Sequence, residues 1–247
     1  MIGSNGLYRG EPYISDRTIQ KRIVAETKFA RCEYHTVVDA ENPSLNSVFN
    51  DWLFMEEKDA INVIVADERG KFLIFKQEKY AIPGETLSPV GGFIDDGETP
   101  FEAAKREVKE ELGMGSRKTK ENIHTDEMQK NKEIKSIDEI TSTWDAEIGR
   151  ITDNDPDWVY LGKYRTSANR GGGYLYSYFL KNAVPIAPDG GTPNFIPSGD
   201  AEPQVLLHLS EVEIFQALST SQFKEVKWTT TISLALLHLR ENLPGNT

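Results

Sequence analysis

The sequence predicts an α/β protein, and three observations carry that reading. An apolar hairpin occupies 60–77, a helix capped at both ends covers 100–112, and strand patterning returns after residue 157 to be followed by two more helices. The 247 residues are 38% hydrophobic and 27% charged, which suits one large domain, or a domain with appendages, that buries a real core. Against 39 acidic residues stand 28 basic ones, for a formal net charge of −11. No basic run forms a nucleic-acid track, so no nucleic-acid partner is expected, and a phosphate-rich partner would need metal ions to be held here. Cys32 alone excludes an internal disulfide, fits a reducing compartment and reads as a small packing residue. No apolar run approaches the roughly 20 residues of a membrane helix. The opening MIGSNGLYRGEPYISD lacks the charged and apolar regions of a signal peptide. The expectation is a soluble cytoplasmic protein that meets no membrane, with an organelle left open if a targeting segment once preceded residue 1.

Taken in order, residues 1–56 read as an N-terminal extension. Met1 to about Ala30 mixes charge with scattered aromatics and predicts one short strand or helix. Cys32 to Val38 and Ser47 to Met55 are strand-like and predict a small strand pair. Residues 57–247 form the main domain. Its first element is the hairpin Ala60–Ala66 and Lys71–Gln77, rich in Val, Ile and Phe, around the turn Asp67-Glu68-Arg69-Gly70. Glu78 to Pro89, with Pro83 and Gly84, reads as a polar loop. A Gly91-Gly92 turn and the run Asp95-Asp96-Gly97-Glu98 then lead to the helix, giving backbone that can approach a polyphosphate closely.

The helix is signalled at both ends. Thr99 is the N-cap, Pro100 suits the first turn, Glu102 completes a capping box and Gly113 is the stop. Phe101, Ala104, Val108 and Leu112 form one apolar stripe. Glu107, Glu110 and Glu111 cluster beside it at i, i+3 and i+4. Like charges at that spacing cost roughly 0.2–0.5 kcal/mol per pair in a bare helix, so the cluster makes best sense under a cation. Hard oxygens on a shallow face suit Mg²⁺ or Mn²⁺.

Beyond the helix, the stretch at about 115–147 is mostly charged and reads as a surface insertion, partly helical. Trp158–Tyr164 and Tyr174–Leu180 predict strands joined by a loop with Arg165, Arg170 and three consecutive glycines. These arginines either clamp a phosphate or are solvated loop residues. Val184 to Pro203 reads as a long Pro- and Gly-rich loop, of the kind that is often functional. Gln204–Leu209 is a strand, Ser210 opens a helix to about Leu218 with a Ser-Glu-Val-Glu capping box, and a last helix covers 230–241. There is no internal repeat.

The run from Gly92 to Met114, GFIDDGETPFEAAKREVKEELGM, resembles the box of the Nudix hydrolases. That box reads Gly, five residues, Glu, seven residues, Arg-Glu, an aliphatic, any residue, Glu-Glu, any residue, Gly, an aliphatic. Gly92, Glu98, Arg106, Glu107, Val108, Glu110, Glu111, Gly113 and Met114 fill every fixed position. The resemblance implies an α/β/α sandwich around a mixed β-sheet that hydrolyses a nucleoside diphosphate linked to another group, using two to three Mg²⁺ or Mn²⁺ ions. It implies metal ligation by Glu107, Glu110, Glu111 and the Gly91 carbonyl, with Glu110 also able to aid the nucleophile. Glu98 and Arg106 orient the helix and its loop around Gly92. Catalysis rests on Glu110, Glu111 and a late acidic base, for which Glu202 is the first choice and Asp200 the second.

Substrate contacts fall to Arg165 and Arg170, and to aromatics such as Trp52, Tyr80, Trp158 and Tyr176 that could stack a base. The layout is most similar to the ADP-ribose and nucleotide-sugar pyrophosphatases. Two departures from that branch are the absent proline near Gln129-Lys130 and Glu78-Lys79-Tyr80 where an arginine is usual. Alternatives are hydrolysis of NADH, coenzyme A, a dinucleoside polyphosphate or a nucleoside triphosphate, or a non-catalytic nucleotide-binding module. In the nucleotide-sugar branch an element like residues 1–56 helps to build a homodimer.

Overall fold

The computed structural model describes residues 14–39, 48–118, 152–186 and 204–241. Most of the expected insertion, and the stretch holding Asp200 and Glu202, lie outside these residues. The chain divides into two compact units, Met1–Ala60 with Gly162–Tyr176, and Ile61–Leu161 with Ser177–Thr247.

In the first unit, β1 (Thr18–Glu26), β2 (Ala30–Val38) and β3 (Val48–Glu57) form an antiparallel meander, with Ile23 opposite Glu33 and Tyr34 opposite Leu53. The sequence shows the β2–β3 pair; β1 is longer than the short element expected there. Its side chains are almost all exposed, so it lacks the alternation that marks a half-buried strand. Strands β9 (Trp158–Ser167) and β10 (Gly171–Pro185) pair with each other and give residues to both units. The three glycines expected in a loop open β10 instead. Gly171 pairs with Met55 in parallel, and a side chain there would place its Cβ 2.3 Å from the Met55 carbonyl oxygen at a φ of +87°. Only glycine meets both conditions.

In the second unit, β4 (Ala60–Asp67) and β5 (Phe72–Lys79) make the expected hairpin, and β11 (Gln204–Leu209) lies antiparallel on the far side of β5. The stretch expected as a polar loop is a strand, β6 (Ile82–Ser88), antiparallel to β5. Its composition is turn-like, but Thr86, Leu87 and Ser88 are buried and β5 supplies the pairing. The Gly91-Gly92 pair lies within β7 (Val90–Phe93), which pairs with β4, and is no turn. β8 (Met114–Gly115) adds to the end of β10, antiparallel to it, so parallel and antiparallel pairs make this a mixed β-sheet protein.

Within this second unit helices cover both faces of the strands. Adjacent strand residues point to opposite faces, and β10 uses this at Tyr178 and Phe179. The Tyr178 ring packs with Phe101 of α1 (Pro100–Leu112) at 5.8 Å, while Phe101 meets Trp158 edge-on at 5.1 Å. Phe179 joins a core with Ile64, Phe72, Ile74 and Leu87, closed by α2 (Glu211–Ser219) and α3 (Val226–Glu241) through Ile214, Ala217, Ile232 and Leu236. Burying Phe101 alone contributes about 1.5–3 kcal/mol. The α/β sandwich expected from the sequence is thus present. No described helix is long and apolar enough to cross a membrane.

Candidate active site

Helix α1 is fixed before it does any chemistry. Its N-terminus carries the expected capping box: the Glu102 amide donates to Thr99 Oγ1 at 3.2 Å, and the Thr99 amide donates to Glu102 Oε2 at 2.8 Å. Gly113 ends the helix in the left-handed region, with φ +62° and its amide bonded to the Lys109 carbonyl at 2.9 Å. The apolar stripe is buried, and Glu111 is buried with it. The three acidic side chains therefore differ in setting. Glu107 keeps only 13% of its side chain exposed, whereas Glu110 keeps 55%.

Arg106 ties the approach loop to this helix. Its Nε and Nη2 donate to the two oxygens of Glu98, both at 2.9 Å, in the fork geometry that guanidinium and carboxylate share. Nη2 also donates to the Phe93 carbonyl at 3.1 Å, while Nη1 donates to Glu107 Oε1 at 2.6 Å and Glu110 Oε2 at 3.2 Å. The Arg106 hydrogen bonds hold the Glu98 carboxyl below its usual range, and the same bonds raise the guanidinium further. Glu107 moves the other way. Burial pushes its carboxyl up, Arg106 offsets part of that, and the charges of Glu110 and Glu98 add to it.

The two glycines of β7 open its two sides. A Cβ on Gly92 would fall 2.0 Å from Glu107 Oε1, so this carboxylate rests directly against the strand backbone. On Gly91 a Cβ would fall 2.6 Å from Asn62 Oδ1. Asn62 is a residue that the sequence pattern did not single out, because AINVIVA reads as a strand rich in Val and Ile in which one polar residue carries no signal.

By their chemistry the carboxylates of the box suit a hard divalent cation. Glu98, Glu107 and Glu110 share a single guanidinium, Glu111 adds a fourth carboxylate, and Glu107 is held in a setting that penalises its own charge. Among the described residues no group of three or more His, Cys, Asp or Glu side chains converges as a metal site; Glu107 and Glu110 are turned to Arg106.

Tyr80 is fully exposed at the β5–β6 turn. Trp158 is 4% exposed and packs edge-on against Phe101 and Tyr178, so it is a core residue with no face open for a base. Trp52, Arg165 and Arg170 belong to the first unit, whereas the box belongs to the second. There Arg170 lies over the Trp52 ring at 5.3 Å, and Arg165 over Tyr174 at 4.8 Å and Phe54 at 5.8 Å. Trp52 Nε1 donates to the Asn169 carbonyl at 2.8 Å. Asp200 and Glu202 fall outside the described residues.

No curated protein matches the sequence significantly. The crystal structure of an ADP compounds hydrolase shares the fold, with a TM-score of 0.58 over 91% of this chain and 94% of that one at 15% identity. Residues 56–168 match the NUDIX domain. That span holds the hairpin, the Gly91-Gly92 strand, the intact box and the capped helix that displays it, and over it the chain is similar to the Nudix hydrolases.

Proposed function

We propose that the protein hydrolyses the diphosphate linkage of a nucleoside diphosphate joined to another moiety, with ADP-ribose or a nucleotide sugar as the leading substrate. The observation that carries this reading is the box itself, complete in sequence and interlocked in structure by the bonds from Arg106 to Glu98, Glu107 and Glu110. The likeness of fold to an ADP compounds hydrolase supports the substrate class.

In this reading Glu107, Glu110, Glu111 and the Gly91 carbonyl hold Mg²⁺ or Mn²⁺. When bound, such ions neutralise the diphosphate and make a water more acidic. Arg106 acts on the protein itself, fixing the loop against the helix so that the carboxylates keep their spacing. Gly92 lets the Glu107 carboxylate sit on the strand backbone without a clash. Glu202 takes a proton from the attacking water, whose oxygen bonds to one phosphorus as the bridging P–O bond breaks. From ADP-ribose the products are AMP and ribose 5-phosphate. Arg165 and Arg170, with Trp52 and Tyr80, bind the nucleotide, and the N-terminal strands serve a homodimer.

The test is hydrolysis by the protein, with and without Mg²⁺, of ADP-ribose, ADP-glucose, UDP-glucose, NADH, coenzyme A, dinucleoside polyphosphates and nucleoside triphosphates. Products are identified by phosphorus NMR. Mg²⁺-dependent release of AMP and ribose 5-phosphate that is lost in Glu111→Gln is expected. Nucleotide binding without turnover of any member would instead make the domain a binding module.

A further inference from the structure

Strand β4 places Asn62 between Ile61 and Val63, both fully buried, and Asn62 itself is only 5% exposed. Its Nδ2 is buried and has no hydrogen-bond partner among the described residues. A buried amide with an unmet N–H destabilises a fold, and a leucine of similar shape would fit an apolar strand with less penalty. The fold thus carries a polar group at a position where its own stability favours an apolar one.

The place is informative. Asn62 Oδ1 lies in the space that a side chain on Gly91 would occupy, and Gly92, the next residue, has the Glu107 carboxylate in the equivalent space. Neighbouring residues of a strand face opposite ways, so β7 is held between a carboxamide on one side and the site carboxylate on the other. The backbone that Asn62 approaches at Gly91 is the one on which Glu107 rests at Gly92.

We propose that Asn62 is a positioning residue: its carboxamide seats the Gly91-Gly92 backbone from the sheet face opposite α1, and so sets where the Glu107 carboxylate stands. This rests on the hydrolase reading above. An oxygen at this contact occupies less space than a methyl group, so a leucine in this place would press on Gly91 where the amide does not. Groups that orient the ligands of a metal or catalytic site typically change affinity or rate by about 10- to 100-fold when replaced.

The experiment compares wild type, Asn62→Leu and Asn62→Ala in thermal unfolding, in Mn²⁺ affinity by titration, and in kcat and KM for ADP-ribose. In Asn62→Leu the melting temperature should equal or exceed that of wild type while kcat falls about 10- to 100-fold and Mn²⁺ binds more weakly. A residue that serves only packing would give the reverse pattern, a lower melting temperature with kcat within twofold, and that result overturns the proposal. Should Asn62→Leu fail to fold, Asn62→Ala decides, because it relieves any crowding at Gly91; wild-type kcat in that variant also overturns the proposal. If wild type turns over none of the substrates, the hydrolase reading fails separately. Mn²⁺ affinity then decides alone, a tenfold loss in either variant supporting the positioning role and no change overturning it.

Discussion

Arg106 and the pair Arg165 and Arg170 occupy two kinds of setting. Arg106 is bonded to three carboxylates and a backbone carbonyl, and its side chain is 27% exposed. Arg165 and Arg170 lie across aromatic rings, and the Arg170 guanidinium donates through Nη1 to the Leu53 carbonyl at 3.3 Å. Donors already committed to protein acceptors cannot be offered to a phosphate. Arg106 is therefore a structural hub of the box, whereas a guanidinium over a ring keeps N–H groups that suit an anion.

Arg106→Ala strikes the hub and should have the largest effect. It leaves Glu98 and Glu107 without their cation, at a cost of about 2–4 kcal/mol, less than for a fully buried pair because part of the network meets water. Thermal unfolding would show it, with turnover lost as well. The pH profile sharpens the assignment. A carboxyl held below its usual range contributes stability that is present above that range and is lost as pH falls through the lowered value. In wild type the stability that the Glu98 pair supplies should be lost as pH falls through the lowered value, and Arg106→Ala should lack this acid-sensitive part.

Gly92→Ala should come next. Its Cβ would stand 2.0 Å from Glu107 Oε1, so the carboxylate must move. Misplacing a catalytic group by about 1 Å costs on the order of 100-fold in rate, and steady-state kinetics should show that fall with the fold retained. The smallest effects belong to Arg165→Ala and Arg170→Ala, which should raise KM for a nucleotide several-fold while kcat and melting temperature change little. A large fall in melting temperature in either would remove the distinction between the two settings.

Local chemistry explains what could be read from the sequence. Helix α1 was legible to the residue because Thr99, Glu102 and Gly113 mark its ends through bonds made within a few residues. The β4–β5 hairpin and the capped start of α2 were legible for the same reason. Elements that depend on a distant partner were not. β6 looks like a loop until β5 pairs with it, and Gly91, Gly92 and Gly171 look like turn residues until the groups crowding them are seen. Asn62 sits in a run that reads as plain core, and its unpaired amide appears only in three dimensions. Glu202 rests on resemblance alone, since it lies outside the described residues.

At the centre of the box stands Glu107, a carboxylate whose charge burial penalises and which the proposed reaction needs, and it tests that reading most directly. Its carboxyl is pushed up by burial, so the folded state binds its proton more tightly than the unfolded chain does, and stability is lost as pH rises through the raised value. Removing the charge should relieve that penalty at neutral pH. Thermal unfolding at pH 7 and Mg²⁺-dependent hydrolysis of ADP-ribose should therefore be measured on wild type and Glu107→Gln together. A higher melting temperature with turnover reduced by orders of magnitude is expected; a lower melting temperature with turnover retained would contradict the role given to Glu107.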